Sequence, residues 1–191
     1  MGFLDALLGR SKPARPDLDD LFGLPAAGLT LQAGLGFTPT GLGSVAYKPV
    51  EGGAFARTEA DVQELLDADQ GPKVEISKDE FGYTWLLLRH DPEDLPGLVT
   101  DIHAVNSTLQ GAGFGPALLC SLVSFAHPDG RRFALVYLYK RGTFYPFAPL
   151  SGRDHRRDNA LELEISSALA NDIKIEKDLS RWFPVWGAPG L

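Results

Sequence analysis

The longest helical pattern in the chain begins after Asp91-Pro92-Glu93-Asp94 and runs to about Gln110. An acidic N-cap followed by proline at the first helical position is typical of a helix start, and acidic side chains there favour the helix dipole. Apolar residues then recur on one continuous face, at Leu95, Leu98, Val99, Ile102, Val105 and Leu109. The pattern predicts a central packing helix that ends near Gly111.

Three shorter segments also have helical spacing. The first is predicted to stop at Pro25, because proline interrupts a helix. Thr58 followed by Asp61 resembles a capping box, and Asp158 is an N-cap candidate. The three predicted helices are residues 17–24, 58–69 and 158–170.

Alternating apolar residues between turn residues predict six strands. Glycines between Gly28 and Gly43 predict turns and short strands ahead of the first one, and Pro49 favours an edge position or a strand end there. The predicted strands are residues 44–50, 73–77, 82–89, 117–126, 133–140 and 143–147. Helices alternate with groups of adjacent strands, so we predict a single α+β domain with a mainly antiparallel sheet packed by helices.

Composition limits the classes of protein that fit. A chain of 191 residues with 44% hydrophobic residues can bury one core, and a net charge of -7 argues against a nucleic-acid partner. No apolar run approaches the roughly 18 residues of a membrane span, and no signal-peptide pattern is seen. Cys120, the one cysteine, lies in an apolar run and is predicted to be a buried, reduced thiol. These features predict a cytoplasmic protein.

Residues 1–16 form a segment distinct from the domain predicted over 17–191. Helical spacing predicts a short amphipathic helix, and the prolines of Ser11-Lys12-Pro13-Ala14-Arg15-Pro16 predict a semi-rigid tether. Three interpretations stay open: folding back onto the domain, docking in a partner's groove, and peripheral contact with the inner face of an anionic membrane. The candidate contact residues are Phe3, Leu4, Leu7 and Leu8.

No motif in the sequence specifies a reaction. The four histidines have no i,i+3 or i,i+4 pair that would bring two imidazoles to one metal, so neither a metal nor another cofactor is predicted. An alternative is an enzyme or ligand sensor whose polar residues converge only in the folded chain. Its candidates are His103, Asn106, Tyr139 and Arg141. A second alternative is a dimeric chaperone-like protein that offers an apolar face to a client.

The stretch VYLYKRGTFYPFAP, residues 136–149, combines five aromatic residues with a basic pair. Together with basic residues near 153–157 it forms a local cluster that suits an acidic helix, a phosphate or an anionic headgroup, although a solvated loop explains it as well. The partner-binding candidates here are Tyr137, Tyr139, Lys140, Arg141, Arg153, Arg156 and Arg157. The aromatic tail with Trp182, Phe183 and Trp186 favours a core role over an interface anchor.

Five segments carry a family resemblance that spans nearly the whole chain. They are GFLDALLGRSKP, LVTDIHAVNSTLQGAGFGPALLCSLVSF, VYLYKRGTFYPFAP, RRDNALELE and LSRWFPVWGAPGL. With these segments the chain resembles the PspAB family, the PspA-associated proteins of actinobacteria. The resemblance implies a non-enzymatic adaptor that binds PspA, a coiled-coil membrane-remodelling protein of the phage-shock envelope-stress response. It supplies no catalytic residues to transfer.

Overall fold

A computed structural model describes residues 17–68, 72–152 and 155–191 of the chain. Six antiparallel strands form one open sheet in the order β2-β3-β1-β4-β5-β6. The strands are β1 (Thr38–Tyr47), β2 (Glu75–Lys78), β3 (Thr84–Arg89), β4 (Leu118–Ala126), β5 (Arg132–Leu138) and β6 (Thr143–Phe147). The predicted α+β class and the antiparallel sheet packed by helices are confirmed.

Helices cover one face of this sheet, which we call the helix face. They are α1 (Leu24–Leu35), α2 (Gly53–Leu66), α3 (Leu95–Gly111) and α4 (Asn159–Ala168). The predicted central helix is α3, which contacts β1, β3 and β4 and against which α1 and α2 pack. Its apolar stripe is buried, with Leu98, Val99 and Ile102 fully inaccessible to solvent. Removal of this stripe from water is the main stabilisation of the layer.

The C-terminal residues 177–191, which we call the strap, lie on the opposite face of the sheet, the strap face. Trp182 and Ala188 are buried there against Val136, Tyr145 and other strand residues. Hydrogen bonds to Ser44, Tyr145 and Arg157 help to fasten the strap: Ser44 Oγ donates to Pro189 O at 2.9 Å, Tyr145 Oη to Phe183 O at 2.8 Å and Arg157 Nη1 to Trp182 O at 2.6 Å. Trp182 therefore belongs to the core, whereas the side chain of Phe183 is 56% exposed.

The N-terminal part of the described chain differs from the sequence prediction. A short 3₁₀ helix, Leu18–Gly23, leads directly into α1, and Pro25 lies in the first turn of α1. Proline is tolerated there because the amide hydrogen it lacks has no partner within the helix. The prediction that Pro25 stops a helix was therefore wrong, and Gly28 and Gly34 lie in α1 rather than in turns. Gly36, with φ of 72°, ends α1.

Three other predicted boundaries also change. α2 begins at Gly53, so Thr58 is not an N-cap; its hydroxyl donates to the carbonyl of Ala54 within the helix. The N-cap of α3 is Asp94 rather than Asp91, and it accepts from the amide of Gly97 at 3.0 Å. β1 begins six residues earlier than predicted and lies inside the sheet between β3 and β4, not at its edge. Pro49 falls beyond the end of β1 and so leaves the ladder intact.

Candidate functional site

Two arginines of the predicted basic cluster are held by buried glutamates. Arg141 Nε lies 3.0 Å from Glu176 Oε2, and Arg157 Nε lies 2.9 Å from Glu162 Oε1. Each glutamate side chain is only 3% exposed. The charges of both arginines are therefore largely compensated within the protein.

The remaining members of the cluster fall into separate environments. Tyr137 and Tyr139 are buried on the helix face, where their hydroxyls donate to Asp17 O and to Gln110 Oε1. Lys140 is exposed at the β5–β6 turn and forms no ion pair with the described residues. Arg156 is exposed as well. Arg153 and the N-terminal candidates Phe3, Leu4, Leu7 and Leu8 lie outside the described residues.

The residues considered for an enzyme or sensor pocket each have a different hydrogen-bond partner. His103 Nε2 lies 3.2 Å from Asp19 Oδ1, and the amide nitrogen of Asn106 donates to Ser121 Oγ at 2.8 Å. Tyr139 bonds to Gln110 and Arg141 to Glu176. The fold does not bring these four residues into one bonded constellation. Within 17–68, 72–152 and 155–191 no group of three or more His, Cys, Asp or Glu residues is placed to hold a metal ion.

The strap face contains an apolar groove. One row of side chains across the sheet forms its floor. Strand register places Trp85 beside Ala46, Ala46 beside Cys120, and Cys120 beside Leu138. The row thus crosses β3, β1, β4 and β5 in order. The neighbouring row, which includes Ser44 and Tyr145, lies under the strap, so the groove follows the edge of the strap.

The groove has a volume of about 690 Å³. The part of the strap that contains Phe183 and Trp186 forms a side wall, and the β2–β3 turn, where the side chain of Phe81 is 73% exposed, closes the end beside Trp85. Most of the lining is apolar, and volumes of roughly 300 to 1,000 Å³ are typical of binding sites. Large exposed aromatic residues at an apolar groove indicate a contact surface.

The charged groups of the groove lie at its two ends. Asp79, in the β2–β3 turn, is occupied by the amides of Phe81 and Tyr83 and by Trp85 Nε1, each at 2.9 Å. Glu80 beside it is exposed. At the β5 end Arg181 is paired with Asp178, which leaves Lys140 as the cation without an ion pair among the described lining residues. The groove is therefore acidic at one end and basic at the other.

Cys120 lies on the floor and is half-buried rather than enclosed in the core. Desolvation raises the pKa of its thiol to about 12. The thiol is therefore protonated at neutral pH, and it contributes apolar surface rather than a nucleophile.

A wider depression of about 970 Å³ borders the 3₁₀ helix Leu18–Gly23 and residues 170–177. Four of its charged side chains form two ion pairs, Lys174 Nζ with Asp20 Oδ1 at 2.8 Å and Arg141 Nε with Glu176 Oε2 at 3.0 Å. It also opens broadly to solvent. The strap-face groove is consequently the stronger candidate for a site.

Sequence reasoning missed most of this groove. Leu138 and Cys120 become neighbours only through the register of β4 and β5, and Trp85 comes from a strand more than thirty residues earlier. One signal of the groove is present in the sequence. Val136 and Leu138 alternate with Tyr137 and Tyr139, and this alternation places the aliphatic pair and the tyrosine pair on opposite faces of the sheet.

The structure defines a single-domain α+β protein with an open antiparallel sheet, layered by helices on one face and by a strap and an apolar groove on the other. A family model, PspA associated protein B, matches residues 1–190. The chain therefore belongs to the PspA associated protein B family. No curated protein and no solved structure matched the chain. None of the described helices is long and apolar enough to cross a membrane.

Proposed function

We propose that this protein is a non-enzymatic adaptor that binds PspA in the bacterial envelope-stress response. The observation that carries the proposal is the family match over residues 1–190, because the name of the family indicates an association with PspA. The proposed place of action is the cytoplasm. The proposed partner there is PspA, a coiled-coil protein of the phage-shock response.

The strap-face groove is the proposed contact surface for PspA. It combines an apolar floor with two exposed aromatic residues, Phe81 and Phe183, and aromatic anchors of this kind supply much of the binding energy at protein interfaces. Of the basic residues considered from the sequence, Lys140 and Arg141 line this groove, and Lys140 has no ion pair with a described residue. Residues Phe3, Leu4, Leu7 and Leu8 are proposed as a second contact, either with the partner or peripherally with the membrane.

The test is a calorimetric titration of PspA into the full-length protein. We expect Phe81→Ser and Phe183→Ser each to weaken binding about tenfold, which corresponds to about 1.4 kcal/mol. Leu163→Ser is the matched control, because Leu163 is 53% exposed on α4 and does not line the groove. Absence of association between the wild-type protein and PspA at tens of micromolar, with and without anionic vesicles, would refute the adaptor proposal.

A further inference from the structure

We infer that the groove receives one amphipathic helix of about three turns from the partner, oriented with its N-terminus toward Glu80 and an acidic side chain facing Lys140. This inference rests on the proposed function and specifies the element of the partner that the groove recognises. Shape, backbone accessibility and charge support it independently.

The shape of the floor fits a short helix. The row from Trp85 to Leu138 spans three strand spacings, or about 14 Å at roughly 4.8 Å per spacing. An α-helix rises about 1.5 Å per residue, so about ten residues cover this length. The row is apolar along its length, with Trp85 and Ala46 buried and Cys120 and Leu138 partly exposed. A helix that lies along it needs apolar residues at i, i+3, i+4 and i+7.

The backbone of the floor excludes addition of a partner strand at this site. β1, β4 and β5 each have a hydrogen-bonded strand on both sides, and β3 lies between β2 and β1. A strand added to a sheet needs a free edge that runs along the strands, whereas this groove runs across them. A helix can bind without a free sheet edge, because its own backbone groups are already hydrogen-bonded and it contacts the floor through side chains alone.

Charge sets the direction of the helix. The exposed carboxylate of Glu80 lies in the turn before β3, and the exposed ammonium of Lys140 follows β5, so the two charges flank the row. A helix has a partial positive charge at its N-terminus and a partial negative charge at its C-terminus. The favourable orientation therefore directs the N-terminus toward Glu80, and an acidic side chain in the last turn pairs with Lys140.

The first experiment identifies the helix and its charge. Fluorescent 20-residue peptides tiled along the PspA chain are titrated with the full-length protein, and anisotropy reports binding. We expect one amphipathic peptide to bind and to compete with intact PspA, with about tenfold weaker binding to Lys140→Glu. Arg132→Glu, at the opposite end of β5, is the matched control and should bind as the wild type does.

The second experiment measures orientation by disulfide trapping. In a Cys120→Ser background, Glu80→Cys or Lys140→Cys is mixed with the binding peptide that carries one cysteine at either end, in the presence of oxidised glutathione. We expect the N-terminal cysteine to trap preferentially with Glu80→Cys and the C-terminal cysteine with Lys140→Cys. The opposite preference, or equal trapping at both positions, would overturn the inference.

The remaining outcomes separate this inference from the adaptor proposal. If intact PspA binds but no peptide competes, or if Lys140→Glu lowers affinity only for anionic vesicles, the adaptor proposal stands and the helix is refuted. If the wild-type protein binds no PspA at all, both proposals fail together.

Discussion

Arg141 in the β5–β6 turn and Glu176, the residue that precedes the strap, form an ion pair with 3.0 Å between Nε and Oε2. Glu176 also accepts from Thr143 Oγ1 at 2.9 Å and from the amide of Asp178 at 3.1 Å. Desolvation opposes ionisation of this carboxylate, but these donors outweigh it and hold its pKa below the ordinary value of 4.5. The buried carboxylate thus fixes the orientation of both segments.

Glu176→Gln is expected to lower the free energy of unfolding by about 1 to 3 kcal/mol, because Arg141 loses its counter-charge and the donors lose a charged acceptor. A group with a lowered pKa stabilises the folded state above its unfolded pKa, and this contribution is lost as pH falls through the folded pKa. The loss caused by the variant should therefore be full at pH 6 and shrink below about pH 4.5. Urea unfolding at several pH values measures it, with the exposed Glu164→Gln as control.

Gly41→Ala is expected to destabilise the fold by about 2 kcal/mol or more. Gly41 has φ of 76°, and a Cβ there would lie 2.2 Å from the carbonyl oxygen of His90. The backbone approach is fixed, because the His90 amide donates to the Gly41 carbonyl at 2.8 Å. Gly34→Ala in α1 meets no atom and should stabilise the fold by up to about 1 kcal/mol. Equal unfolding midpoints for the two variants would contradict this account.

His90 is expected to make stability fall as pH rises above about 6.5. Its ring lies 3.0 Å from Asp94 Oδ2 and 2.8 Å from Asp101 Oδ2. Burial lowers the pKa of the imidazole, but the two carboxylates outweigh burial and raise it above 6.5. The stabilisation is therefore complete below about pH 6.5 and is lost as pH rises through the folded pKa. An NMR titration of His90 checks the direction, and the cost of His90→Gln should be larger at pH 6 than at pH 9.

Tyr145→Phe is expected to loosen the strap. The variant removes the hydroxyl that donates to the Phe183 carbonyl at 2.8 Å, a loss of about 1 kcal/mol for a typical hydrogen bond. Because Phe183 belongs to the groove wall, faster amide hydrogen exchange in residues 183–186 should accompany weaker PspA binding. Unchanged exchange in this segment would show that the aromatic packing holds the strap without the hydroxyl.

Local signals predicted much of the fold because they act within a few residues. Asp158 accepts from the amide of Leu161 as the predicted N-cap of α4, and the hairpin of β2 and β3 forms as the alternation indicates. Pro25 misled the prediction because proline is compatible with both the end and the first turn of a helix. The segment 136–149 also contains Lys140, which lies at one end of the groove.

The rest of the site depends on partners that are distant in sequence. Glu176, which compensates Arg141, lies 35 residues away, and no periodicity marks that pairing. The Ser44–Pro189 bond joins positions separated by 145 residues. The strap therefore packs over one row of the sheet and leaves Cys120 and Leu138 of the next row partly exposed, for reasons that only the folded chain reveals.

All three tryptophans of the sequence lie on the strap face. Trp85 and Trp186 line the groove, and the side chain of Trp182 is buried between the strap and the sheet. Intrinsic tryptophan fluorescence therefore reports on the strap face alone. The emission spectrum should change with hydration and occupancy of the groove. Events confined to the helical layer should leave it nearly unchanged. The unlabelled natural protein thus contains its own reporter for the encounter with a partner.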